Sequence, residues 1–210
     1  MPTFKDATSL QAFLNSQRTG NNTVGFVPTM GALHKGHLAL VTSALSQNEI
    51  VVVSIFVNPT QFGNAGDLKN YPRTLSKDET LLKTLHNDII VFAPNAEDLY
   101  NGNITSNSYN FGAIANEMEG KYRQGHFNGV GTVLELLFDI VKPDYAYFGE
   151  KDFQQLQIVR KLISLTNQPV TIVGCPIYRE NSGLAMSSRY ERLSKERRDA
   201  SAFIYKTLQK

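Results

Sequence analysis

A chain of 210 residues, 41% hydrophobic and 19% charged, can bury a full core and has the composition of a globular protein. Its net charge of +2 marks neither nucleic acid nor a membrane surface as the main partner, and the surplus sits in the tail, where residues 189–210 hold seven Lys or Arg against three Asp or Glu. A single cysteine, Cys175, excludes an intrachain disulfide framework, and without a long apolar run or apolar leader the expected compartment is the reducing cytoplasm.

No internal repeat is visible, and the pattern alternates between strand and helix. Thr23 to Val27 reads as a short strand ending at Pro28, and His34 to Gln47 as a helix with Leu38, Val41 and Leu45 on one side. Ile50 to Val57 is apolar and β-branched throughout, as in a strand covered on both faces. Thr74 to Leu85 predicts a helix, Ile89 to Phe92 a buried strand, and Asn95 to Asn110 a polar loop. Val130 to Val141 predicts an apolar helix, Tyr145 to Phe148 a strand, Asp152 to Thr166 a helix and Val170 to Val173 a strand. This alternation predicts a doubly wound α/β fold with a parallel sheet over residues 1–175. From residue 176 the rhythm changes. Ile177 to Arg189 reads as loop and Ser194 to Gln209 as a basic helix, so residues 176–210 are expected to begin a second, smaller unit that the chain does not complete.

In such sheets ligands sit beyond the carboxyl ends of strands, so the chemistry is sought there. Pro28 to His37 follows the first strand and opens a helix, whose unpaired N–H groups suit phosphate. Gly31 and Gly36 permit close backbone approach, and His34 and His37 can donate to an anionic phosphate chain. Asn58, Gln61 and Phe62 follow the second long strand, and neutral amides there can hold hydroxyl and carboxylate groups. Gly149, Glu150, Lys151 and Asp152 again join a strand to a helix. A lysine at a helix start opposes the dipole unless an anion compensates, and Gln155 lies one turn in. Tyr178 with Met186, Ser187, Ser188 and Arg189 offers hydroxyls, N–H groups and a cation that can fold over a triphosphate, but taken alone the string reads as a polar interdomain linker. No Walker A string, no G-x-G-x-x-G and no G-x-S-x-G occurs.

The string His34-x-Gly36-His37 after a first strand resembles the HxGH signature of the nucleotidyltransferase superfamily, and Pro28 to His37 resembles in particular the pantothenate synthetase (pantoate–β-alanine ligase) family. Val53 to Phe62, Tyr147 to Gln155 and Gly183 to Arg189 resemble further motifs of that family, as do Tyr71-Pro72-Arg73-Thr74 with Asp78 and Arg123 to Val130. The resemblance covers Thr23 to Arg189. It implies a Rossmann-like fold and ATP-dependent joining of (R)-pantoate to β-alanine through pantoyl adenylate. It also implies roles. His34, His37, Lys151, Ser187, Ser188 and Arg189 would act on the phosphates, with Met30, Gly31, Gly36, Gly149, Glu150, Asp152, Tyr178 and Met186 around ATP. Asn58, Gln61, Phe62 and Gln155 would take pantoate and β-alanine. Asp78 would relate to Mg2+, His37 could shuttle a proton, and a homodimer is expected.

The sequence departs from the family pattern at Gln124 for Pro, at Leu136 for Lys, and at Tyr190-Glu191-Arg192-Leu193, where an Asn is lost. Family members continue into a small C-terminal domain, and truncation is the expected reason that this sequence does not. Two other readings keep the residues but change the outcome. One is transfer of AMP or CMP to a phosphorylated acceptor, which would favour Arg or Lys where Gln61 and Gln155 stand. The other is a nucleotide-binding module that turns nothing over.

Overall fold

The computed structural model describes residues 1–209, apart from the side chains of Glu191 and Arg192. It begins with β1 (Thr3–Phe4), α1 (Ala7–Gln17), β2 (Val24–Thr29), α2 (Lys35–Leu45) and β3 (Ile50–Ile55). The chain continues through α3 (Ala65–Lys69), α4 (Leu75–Lys83), β4 (Ile90–Phe92), α5 (Ala96–Leu99) and α6 (Glu119–Tyr122). It ends with α7 (His126–Val141), β5 (Tyr145–Gly149), α8 (Phe153–Thr166), β6 (Thr171–Cys175) and α9 (Lys195–Leu208). The strands form one parallel sheet in the order β1-β4-β3-β2-β5-β6. The doubly wound parallel fold expected from the alternation is therefore present.

The central strands are largely apolar because helices cover both faces, with Thr29 and Ser54 as buried polar exceptions. Val24, Phe26, Ile50, Val52 and Phe148 pack with Val130, Leu134 and Leu137 of α7 and Leu156 of α8. Val27, Val51, Val53 and Tyr147, on the opposite face, pack with Val41 and Ala44 of α2 and Leu82 of α4. Leu136 is partly buried against the first of these clusters, an apolar place that a lysine would not fill.

Strand order reverses between β2 and β5, and there the sheet splits. β2 pairs with β3 up to Thr29 and β5 pairs with β6 up to Gly149, but β2 and β5 pair only at Gly25–Tyr145 and Phe26–Ala146. Pro28 was expected to stop β2, yet the strand continues through it. The carbonyls of Thr23 and Thr29 bond to the β3 side and that of Val24 to Asp144. Residue 28 therefore faces β5, where the ladder has already lapsed and a missing N–H costs nothing.

Several elements differ from expectation. β1 and α1 were not anticipated. β1 has only two residues, and α1 starts at Asp6, whose carboxylate caps the Ser9 N–H at 2.8 Å. The polar segment after β4 contains the short α5, capped by Asn95. α7 starts at His126 and not Val130, because its glycines serve close packing. A Cβ on Gly129 would lie 2.4 Å from the Thr60 carbonyl oxygen, and one on Gly131 would lie 2.9 Å from the Tyr109 ring.

Candidate active site

The split between β2 and β5 opens a cleft of about 1640 Å3, counting the space continuous with solvent. Strand residues Pro28, Thr29, Tyr147 and Phe148 form its floor. Around them lie Met30, His34, Gly36 and His37 from one junction, and Gly149, Lys151, Asp152 and Gln155 from the other. Asn58, Gln61 and Phe62 close one side, and Tyr178, Met186, Ser187, Ser188 and Arg189 close another. All these anticipated residues share one cavity. Three others do not line it: Gly31, Glu150 and Asp78.

The two histidines meet through a capping box, not as neighbours on one helix face. His34 is the N-cap of α2, and its Nδ1 accepts from the Gly36 N–H at 3.2 Å. His37 Nδ1 accepts in turn from the His34 N–H at 3.2 Å. The rings stack 4.0 Å apart. A backbone N–H cannot accept, so in each neutral ring Nδ1 carries the lone pair and Nε2 the proton. Gly36 is obligatory here, since a Cβ would sit 2.9 Å from Cε1 of the folded-back His34 ring. Burial at the cleft floor, then the charges of His34 and Lys151, push His37 down to about 3. At neutral pH His37 is an uncharged donor. A proton shuttle through it does not fit that state.

Asp78, expected near a metal, has a different position. It is 2% exposed, and its carboxylate accepts from the N–H groups of Ala32 (3.1 Å) and Leu33 (2.7 Å) and from Thr74 Oγ1 (3.1 Å). Those bonds hold the turn just before His34, where Gly31 has φ +79° and Ala32 has φ +50°, a left-handed pair. Among the described residues no cluster of three or more His, Cys, Asp or Glu could hold a metal ion.

At the second junction Lys151 reaches into the cleft from a 3-10 turn (Glu150–Asp152), and its Nζ pairs with Asp152 Oδ1 at 2.9 Å. Asp152 stands at the N-cap of α8, but its side chain makes no capping bond and is held by this ion pair. Gly149 has ordinary dihedrals and open space where a Cβ would go, so it serves by leaving the cleft wall clear. The two glutamines of α8 divide their roles. Gln155 lines the cleft, while Gln154 is 9% exposed and staples the segment before α6 through Ile114 O, Glu117 O and the Glu119 N–H.

Sequence reasoning missed Glu119, which lines the cleft beside Arg123 and pairs with it at 2.6 Å. Its signal was weak, because its segment carries no periodicity. Arg123 Nη2 and His126 Nδ1 both donate to the Gln61 carbonyl, at 3.3 and 2.9 Å. His126 is 6% exposed, and burial followed by the Arg123 charge holds it below its usual range. It is a neutral brace for the Gln61 turn. The Ser187–Arg189 loop follows a bridge between Arg179 and Ala185 and returns to the HxGH turn, where Met186 Cβ would lie 3.6 Å from a Cβ on Gly36.

Comparison with known proteins places this geometry. A family model described as pantoate–β-alanine ligase matches residues 2–210. The pantothenate synthetase of Christiangramia forsetii is 55% identical over 209 residues, covering 100% of this chain and 74% of the relative. That of Flavobacterium psychrophilum is 53% identical, covering 98% and 73%. Among solved structures, pantothenate synthetase from Thermus thermophilus superposes with a TM-score of 0.91 at 44% identity, covering 100% of this chain and 74% of that one. Pantoate–β-alanine ligase from Francisella tularensis, complexed with β-γ ATP and β-alanine, superposes with a TM-score of 0.93 at 39% identity, covering 100% and 80%. The chain thus spans about three quarters of the length of several relatives. It belongs to the pantoate–β-alanine ligase family.

Proposed function

We propose that the split between β2 and β5 is where this ligase joins (R)-pantoate to β-alanine, and that the residues gathered there have the following roles. Pantoate carboxylate attacks the α-phosphorus of ATP, giving pantoyl adenylate and pyrophosphate. The β-alanine amine then attacks the acyl carbon and AMP leaves. No protein nucleophile is required, so positioning and neutralisation of phosphate charge carry the rate.

The observation that supports this best is the pairing of two unlike phosphate binders across one cleft. The Nε2–H groups of His34 and His37 donate without adding charge. Lys151 supplies the cation from the other junction, close enough for its charge to act on His37. ATP binding would draw Lys151 from Asp152 onto the phosphates. Ser187, Ser188 and Arg189 close from the loop, with Met30, Gly36, Gly149, Tyr178 and Met186 around the nucleotide. Gln61 and Gln155 orient pantoate, Phe62 supplies apolar wall, and Asn58 backs Gln61. Asp152 holds Lys151 until the nucleotide arrives.

Magnesium enters with the triphosphate as its counter-ion. The residues present do not make a resident site for it, because Asp78 is committed to the Ala32 and Leu33 N–H groups. A homodimer rests on family resemblance, and light scattering on a sizing column checks it. Cytoplasmic location rests on the lone buried thiol Cys175 and the lack of a disulfide framework. No helix among the described residues is long and apolar enough to cross a membrane. Residues 1–175 form the substrate-binding unit in this reading, and residues 176–210 belong to the unit that closes over ATP.

The experiment is pantoate-dependent exchange of labelled pyrophosphate into ATP, with AMP release on adding β-alanine. Lys151→Ala should lower the exchange rate by about 10²–10³, the cost of losing one charge-stabilising group. A loss below about threefold would remove Lys151 from this role.

A further inference from the structure

Behind Gln61 runs a buried polar chain whose direction is fixed by main-chain groups. Asn58 is 1% exposed. Its Nδ2 lies 3.1 Å from the Gly129 carbonyl oxygen, which only accepts, so the amino group belongs on that side. Its Oδ1 lies 3.4 Å from the Thr60 N–H, which only donates. Tyr100 Oη donates to the same oxygen at 2.6 Å, and Thr60 Oγ1 at 3.2 Å. With both ends of the amide pinned, the second Asn58 N–H goes to Gln61 Oε1 at 3.1 Å. The orientation of Gln61 then has one solution. Its oxygen faces Asn58, and its amino group points at Met30 Sδ in the cleft, at 2.9 Å.

We propose that Tyr100 and Asn58 are positioning residues that lock Gln61 as a hydrogen-bond donor, so that its subsite takes an acceptor oxygen of the acid substrate and rejects an ammonium. The ammonium of β-alanine has no lone pair to offer this donor, whereas a carboxylate or hydroxyl oxygen does. Tyr100 is 6% exposed and lies on the far side of Asn58 from Gln61, so it acts through the amide and through Thr60 Oγ1, 3.0 Å from its hydroxyl, without touching the substrate.

This rests on the assignment of Gln61 to pantoate, and the test separates the two. Steady-state KM values for pantoate and ATP, and thermal midpoints, are measured for Gln61→Ala, Asn58→Ala and Tyr100→Phe in the full chain. Gln61→Ala should raise the pantoate KM, and if it does not, the assignment itself fails. Asn58→Ala frees Gln61 to flip and should raise the pantoate KM about tenfold or more, with the ATP KM within about twofold. Tyr100→Phe, which keeps the ring, should raise it about threefold with the same selectivity, as expected for one hydrogen bond. If Gln61→Ala raises the pantoate KM but the folded Tyr100→Phe and Asn58→Ala enzymes leave it unchanged, the lock is overturned. An equal rise in both KM values in Tyr100→Phe would assign the tyrosine to general structure and also overturn it. Should Asn58→Ala not fold, Tyr100→Phe decides alone.

Discussion

His34 and His37 owe their tautomers to main-chain N–H groups, whereas the low value of His37 comes from burial and then from the charges of His34 and Lys151. Both present Nε2–H to the cleft because Nδ1 is already an acceptor. The consequence is measurable. His37 of the free enzyme should show no titration by NMR from pH 8 to about 4, because its value lies near 3 and not 6.5. The sign for stability follows. Between about 6.5 and about 3 the unfolded chain binds a proton that the folded chain does not, so the folded state weakens as pH falls through that window. Above 6.5 the group contributes no pH dependence. A titration midpoint near 6.5 in the folded enzyme would show that His37 is not held neutral by burial and its charged neighbours. Replacing Gly36 by Ala pushes the His34 ring off its cap, and a displacement of about 1 Å at such a group costs about 10²-fold, read as pyrophosphate exchange. The histidine pair was legible from its spacing and position. Its tautomers were not, because they depend on which N–H each ring meets. The turn-holding bonds of Asp78 were illegible for a related reason: a helical aspartate gives no sign in sequence that a distant turn supplies its donors.

Secondary structure shows the same division. β2, β3 and β5 were legible because strands covered on both faces contain nearly unbroken apolar runs. The start of α7 was not, because Gly129 resembles a breaker when only local propensity is weighed. The fold overrides propensity by packing the helix onto the Pro59–Gln61 turn, where no side chain fits at residue 129. β1 was illegible for want of length, and a two-residue strand acquires meaning only when β4 offers it an edge. Gly129→Ala tests the contact. It should destabilise the protein by about 1–3 kcal/mol, the usual cost of overpacking, and shift the Gln61 turn. Chemical denaturation reads the first effect and the pantoate KM the second. An alanine variant with unchanged stability would show that the turn can yield.

For the molecule as a whole, the proposed closing of the residue 178–189 loop over ATP makes the coupling of that loop to α9 testable. Nothing in α9 is fully buried, and Phe203, Ile204 and Leu208 stay exposed. Its grip on the loop is local. The Arg179 guanidinium lies 3.8 Å over the Tyr205 ring, and Arg179 also donates to the Gly183 carbonyl at 3.1 Å. Gly183, at φ +86°, admits the ring so closely that a Cβ would lie 2.4 Å from it. Arg198 pairs with Glu180 at 2.7 Å, an exposed bridge of small worth. Among the described residues, Tyr205 is therefore a central tie between α9 and the loop that carries Ser187, Ser188 and Arg189. Tyr205→Ala removes a cation–π contact of about 0.5–1 kcal/mol and leaves the sheet core untouched, so the melting temperature should move little. The loop, released from α9, samples positions away from the triphosphate. The ATP KM should then rise about threefold to tenfold, the pantoate KM should stay within about twofold, and Tyr205→Phe should restore most of the loss because its ring still faces the guanidinium. Equal ATP KM values for wild type and Tyr205→Ala would show that the loop keeps its place without α9.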